Sequence, residues 1–247
     1  MVALKSPQEI EIMRLAGQIL KSIFQKIKAY IIAGRTTEEI DRYAGELISE
    51  HKGATAAFKG YKGFPANMCI SINEEVVHGI PSAKKIKSGD IVSSDIGICY
   101  RGYFADSACT LPIGPVNPAA KKLIRVAHES LWQGIKQARP GKYLGDISYA
   151  IQRHAESSGF SIVRQFVGHG IGRNLQEEPE VPNFGRPHQG LPLMPGMVLA
   201  IEPMVNAGTW EVEVLDDNWT VVTKDKQQSA HFEHTVAITE ADPEVLT

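Results

Sequence analysis

The segment 90–106 carries Asp95 and Asp106 in an apolar setting, on either side of a turn at Arg101-Gly102, and reads as two strands of a β-hairpin. Centred between Tyr100 and Arg101, the hairpin places Asp95 directly opposite Asp106, with Cβ atoms about 4.5–5.5 Å apart. Two like charges that close repel, so a positive group has to sit between them or one of them has to hold a proton. Two further acids stand in strand-like runs: Glu202 follows Val198-Leu199-Ala200-Ile201, and Glu233 precedes the apolar stretch that ends at Ile238. Burying a lone carboxylate is costly, so each requires a partner. His169 lies between Gly168 and Gly170, whose missing side chains let a ligand or a neighbouring backbone approach closely. His78 stands just before a turn at Gly79-Ile80-Pro81.

Four carboxylates and an imidazole form an oxygen-rich set without a thiolate. Such a set suits a pair of divalent cations, cobalt, manganese, iron or zinc, and not a closed tetrahedral structural zinc. Two such ions about 3.5–4 Å apart acidify a shared water and polarise a carbonyl. Their charge also offsets the repulsion among the acids.

The elements that must carry these residues are legible from caps and periodicity. Ser6-Pro7-Gln8-Glu9 opens a helix with a capping box, followed by Ile10, Met13, Ala16, Leu20, Ile23 and Ile27 at helical spacing. Thr36-Thr37-Glu38-Glu39 opens a second, with Ile40, Tyr43, Ala44, Leu47 and Ile48 on one face. Asn117-Pro118 opens a third, Pro140-Gly141 breaks it, and a shorter fourth carries Ile147, Ile151 and Ala155. Strand-like segments follow each pair, at 91–99 and 103–111 in the first half and at 160–167, 198–205 and 230–239 in the second. The spacing from Gly34 to Ile40 equals that from Gly141 to Ile147. The order predicts an α+β fold of two pseudo-symmetric helix-helix-strand halves, about 6–115 and 116–240, around antiparallel sheet in a single domain of residues 1–247.

Composition narrows the class. The 247 residues are 43% hydrophobic and 22% charged, inside the globular range. Lys+Arg 26 against Asp+Glu 28 gives a net charge of -2, with no direct sign of a nucleic-acid partner. No apolar run reaches the ~18 residues of a membrane span, and the N-terminus has no signal-peptide core. Cys69, Cys99 and Cys109 contain no paired motif, which predicts buried thiols in a reducing cytoplasm.

In order along the chain, the motifs around His78, Asp95, Asp106, His169, Glu202 and Glu233 resemble those of type I methionine aminopeptidase. Supporting blocks are Cys69-Ile70-Ser71-Ile72-Asn73-Glu74, His169-Gly170-Ile171-Gly172-Arg173, Ile201-Glu202-Pro203-Met204-Val205 and Trp219-Thr220-Val221. The resemblance implies the pita-bread fold and two divalent metal ions. Asp95 would hold one ion, His169 and Glu202 the other, and Asp106 and Glu233 would bridge them. It also implies removal of the N-terminal methionine from nascent polypeptides or peptides when the next residue is small, through a water bridging the metals. Glu202 would shuttle the proton and His78 would hydrogen-bond the scissile amide. Tyr61, Phe64, Cys69 and Trp219 would line the methionine pocket, with Phe58 and Leu175 near its edge, and Gln176 would contact substrate. A cytoplasmic monomer with ribosome association is the accompanying expectation.

Two positions depart from the family pattern. Gln176 stands where a second histidine is usual, seven residues after His169, and Gly97 stands where a threonine is usual, two after Asp95. A glutamine donates a hydrogen bond but carries no positive charge. These departures motivate one alternative, a weakly active or inactive peptide-binding relative; the shared fold keeps a second in play, a peptidase for X-Pro bonds.

Overall fold

The computed structural model describes residues 2–247. The first half holds α1 (Pro7–Tyr30), α2 (Thr37–Ser49), β1 (Ala54–Ala56), a short 3-10 turn (Tyr61–Gly63), β2 (Cys69–Ile72), β3 (Glu75–Val77), β4 (Ile91–Tyr100) and β5 (Tyr103–Pro112). The second opens with α3 (Pro118–Ile135), α4 (Leu144–Ser157), β6 (Ser161–Ile162), β7 (Gly168–Gly170) and β8 (Glu177–Val181). It continues with β9 (Val198–Ile201), β10 (Met204–Asn206), β11 (Val212–Val214), β12 (Val221–Thr223), β13 (Ser229–His231), β14 (Glu233–Ala237) and β15 (Glu244–Val245). No helix among the described residues is long and apolar enough to cross a membrane.

The caps act as their sequences predict. Ser6 and Thr36 accept from the backbone N–H of Glu9 and Glu39, and each glutamate accepts in return from its cap residue's N–H. Asn117 caps α3 by accepting from Ala120 N–H. The buried face of α1 holds Met13, Leu20, Ile23, Phe24 and Ile27, each contributing roughly 1.5–3 kcal/mol of apolar burial. The two halves repeat one detail of entry into their second helices. Gly34 and Gly141 both adopt left-handed backbone, at φ 94° and 81°. Two residues later the N-cap makes an isolated antiparallel bridge, Thr36 to Lys85 and Tyr143 to Pro192.

A nine-stranded antiparallel sheet runs β1-β4-β5-β14-β9-β7-β8, with β2 beside β4 and β15 beside β14. Two three-stranded sheets, β13-β10-β6 and β11-β12-β3, complete the framework. The helices and the main sheet share one apolar core that includes Leu20, Ile23, Ile96, Leu123, Ile147 and Ile201.

Four strand expectations need correction. Asp95 pairs with Ala108, and Asp106 pairs with Gly97, so the two aspartates are diagonal neighbours and not directly opposed. The loop is a two-residue turn with Arg101 at φ 51° and Gly102 at φ 79°, which moves the hairpin centre between these residues. The run 198–205 is two strands, because Pro203 has no N–H for the ladder and the chain leaves the main sheet at Glu202-Pro203. Its partner, 230–239, likewise divides at Phe232, with β13 in a small sheet and β14 in the main one. Finally, 160–167 keeps only the two-residue β6. Both sheet changes fall beside an acid, Glu202 just after β9 and Glu233 at the start of β14.

Candidate metal centre and substrate pocket

All eleven side chains singled out from the sequence line one cavity of about 140 Å³: Tyr61, Phe64, Cys69, His78, Asp95, Asp106, His169, Gln176, Glu202, Trp219 and Glu233. Phe58 and Leu175, expected at its edge, line it too. Lys62 completes the wall.

The buried end is acidic. Asp106 and Glu233 are 4% and 2% exposed, while Asp95 and Glu202 are partly exposed where they line the cavity. Ligand atoms of Asp106, His169 and Glu233 all lie within 4.8 Å of one another. Neighbouring hydroxyls fix the backbone here. Thr235 Oγ1 accepts from Asp106 N–H and donates to Asp106 C=O, both at 2.9 Å, and so joins β5 to β14 where the main-chain ladder stops. Ser107 donates through Oγ to Glu233 C=O at 3.1 Å and through its N–H to Asp106 Oδ1 at 3.0 Å.

His169 sits on β7 between two strands. A Cβ on Gly168 would meet Ala200 C=O at 2.3 Å, and one on Gly170 would meet Glu178 C=O at 2.3 Å. The flanking glycines therefore admit neighbouring backbone. Only a protonated nitrogen can face a carbonyl, so Nδ1–H donates to Gly170 C=O at 2.9 Å and Nε2 keeps a free lone pair. That lone pair lies 3.5 Å from Glu202 Oε1.

Electrostatics at this end are unsettled by protein groups alone. Burial pushes Asp106 up to about 7, against the opposing pull of Asp95 and the Ser107 N–H. Burial, then Asp106 and Glu202, hold Asp95 well above the carboxylate range. Burial and Asp106 do the same to Glu202, and burial followed by Asp106, Glu202 and Asp95 to Glu233. Buried Asp95 Oδ1 and Glu233 Oε1 have no hydrogen-bond partner among the described residues. Orphaned acceptors, crowded acids and a neutral imidazole fit a cationic metal in charge and in donor type.

The walls are aromatic. Phe64 meets Phe58 and Trp219 edge-on, with centroids 6.5 and 5.0 Å apart. His78 packs edge-on between Phe166 and Trp219, at 5.6 and 6.2 Å, with left-handed backbone at φ 60°. Burial, then Lys62, hold its imidazole down at about 4, so it is neutral near pH 7. Cys69 pairs with Asp95 across β2 and β4, and burial followed by Asp95 keeps its thiol protonated. Gly97 faces Asp106. A Cβ there would meet Ala57 Cβ and Phe58 Cε1 at 3.0 Å, so the Phe58 ring fills the space a side chain would need.

The exposed end is different. Gln176 Oε1 accepts from Lys62 Nζ at 2.9 Å and from Tyr61 Oη at 3.1 Å. Lysine can only donate, so the amide oxygen is fixed inward on this pair and Nε2 is left as the free donor. Lys62 is the only Lys or Arg on the cavity wall among the described residues. Sequence reasoning missed Lys62 and Phe166. The signal for Lys62 was its place in Gly60-Tyr61-Lys62-Gly63, a glycine-bounded turn; Phe166 offered none.

The chain matches metallopeptidase family M24 over residues 11–240. It therefore belongs to that family. Its relatives within the family are methionine aminopeptidases: it is 53% identical to the Clostridium perfringens methionine aminopeptidase and 50% identical to methionine aminopeptidase 1 of Bacillus subtilis, covering 100% of this chain and 99% of each relative. The crystal structure of methionine aminopeptidase from Rickettsia prowazekii superposes with a TM-score of 0.98 at 39% identity, covering 100% of both chains. The α+β architecture is the pita-bread fold of this family. Prolidase from Pyrococcus furiosus shares that fold, with a TM-score of 0.81, at 24% identity and with 65% of its length covered. The likeness to the X-Pro enzymes is one of fold alone.

Proposed function

We propose that residues 1–247 work as one catalytic domain that hydrolyses the first peptide bond of chains beginning with methionine and a small second residue. The observation that carries this reading is the convergence of four acids, two of them buried, and a neutral imidazole at one end of an aromatic cavity about the size of a single residue. Asp95 would hold one divalent ion, His169 and Glu202 a second, and Asp106 and Glu233 would bridge. When bound, such ions supply Lewis acidity and a water acidic enough to attack near neutral pH.

The remaining work belongs to the chain. Phe58, Phe64, Leu175 and Trp219 exclude water and receive an unbranched thioether side chain, which packs favourably against ring edges. Hydrolysis places the water oxygen on the methionine carboxylate and transfers a proton to the new amine. Glu202, on the cavity wall beside His169, carries that proton. Neutral His78 hydrogen-bonds the scissile amide, and the free Gln176 Nε2 meets the chain beyond it. Nascent polypeptides, met at the ribosome, are the substrate class this site suits.

The test is methionine release from Met-Ala-Ser by purified protein with added manganese or cobalt. Turnover that vanishes with chelator is expected. No turnover above the chelated control would overturn the reading.

A further inference from the structure

His231 takes no part in the reaction above, yet it stands beside it. It lies on β13, is 1% exposed, and its Nε2 has no hydrogen-bond partner among the described residues. A buried ring nitrogen is costly to leave unpaired. Glu202 Oε2 is 3.8 Å from it, while the other oxygen of that carboxylate is 3.5 Å from His169 Nε2. Glu202 thus stands between two imidazoles, one on each oxygen.

The main chain of His231 is held at both polar groups by one hydroxyl. Thr110 Oγ1 accepts from its N–H at 2.8 Å and donates to its C=O at 3.0 Å. Because Thr110 has spent its proton, Ser93 Oγ must donate to Thr110 at 2.8 Å.

We propose that His231 is a positioning residue for Glu202: its Nε2–H donates to Glu202 Oε2 and leaves Oε1, on the His169 side, as the oxygen that meets metal. The proposal rests on the reading of Glu202 as a metal ligand and proton carrier. A carboxylate bonded this way keeps one orientation, and loss of such an outer partner typically costs 10–100-fold in metal affinity or activity.

The experiment compares full-length wild type with His231→Gln, which keeps an N–H donor, and with His231→Leu and His231→Met, which do not. Folding is checked by circular dichroism, manganese binding by calorimetry, and kcat and KM on Met-Ala-Ser. The donor-less variants that fold are expected to bind manganese about 10–100-fold more weakly and to lose kcat by a similar factor, with KM within about threefold. His231→Gln is expected within about threefold of wild type in both. Donor-less variants within twofold of wild type, or His231→Gln as impaired as they are, would overturn the proposal. If wild type releases no methionine, the aminopeptidase reading fails, and the manganese isotherms still decide the role of His231.

Discussion

The two ends of the cavity are built on opposite principles. At the buried end, four acids are gathered from β4, β5, β14 and the residue just after β9, two of them (Asp106 and Glu233) held at the backbone by threonine and serine hydroxyls, and all left short of positive charge. At the exposed end, Lys62, Tyr61 and Gln176 satisfy one another in contact with water. The contrast teaches where the free energy of function resides. Interactions removed from water are strong and intolerant of change, whereas an exposed polar pair contributes about 0–1 kcal/mol.

The sharpest way to break this comparison is to strip the buried end. Glu233→Ala and Asp106→Asn are expected to lower kcat/KM on Met-Ala-Ser by at least about 10³-fold, roughly 4 kcal/mol of transition-state stabilisation. His78→Ala, on the cavity wall, is expected to lower kcat about 10²-fold with KM little changed, read from the same steady-state assay. The wall itself rests on ring-edge contacts with Phe166 and Trp219.

A third test uses pH and needs no substrate. Asp106 is raised from 3.8 to about 7, and Asp95, Glu202 and Glu233 are raised as well. Between the ordinary and the raised pKa the folded chain holds protons that the unfolded chain has released. This stabilisation is complete below the ordinary value and is lost as pH rises through about 7. The chelated protein should therefore lose several degrees of Tm, on the order of 5 °C, between pH 5 and pH 8 by calorimetry. Loading with manganese should abolish the trend, and a flat profile in chelator would count against crowded acids.

The smallest effect belongs to the mouth. Lys62→Gln and Gln176→His should each change kcat/KM by less than about fivefold. A hundredfold gain in Gln176→His would instead mark the present site as dormant, and would favour the peptide-binding alternative.

Sequence carried the buried end better than the mouth for a physical reason. A carboxylate inside an apolar strand breaks the pattern around it, so Asp95, Asp106, Glu202 and Glu233 are conspicuous before any fold is known. Caps are equally local, which is why Ser6, Thr36 and Asn117 mark their helices. The hairpin register slipped because it depends on which turn residues take left-handed backbone, and Gly102 preceded by Arg101 was the available clue. The breaks at Pro203 and Phe232 are less legible, because strand-like segments lie both before and after each. Lys62 and His231 matter through contacts across the fold, with Gln176 and beside Glu202, and nothing in their own segments announces those partners.

The central claim is that this acidic end binds two divalent cations on which peptide hydrolysis depends. Calorimetric titration of manganese into chelated protein, with Met-Ala-Ser turnover followed in the same sample, tests it directly. Binding of up to two equivalents, with turnover rising as the sites fill and lost in Glu233→Ala, is the predicted result. Full turnover in the presence of chelator, or no manganese uptake by folded protein, would contradict it.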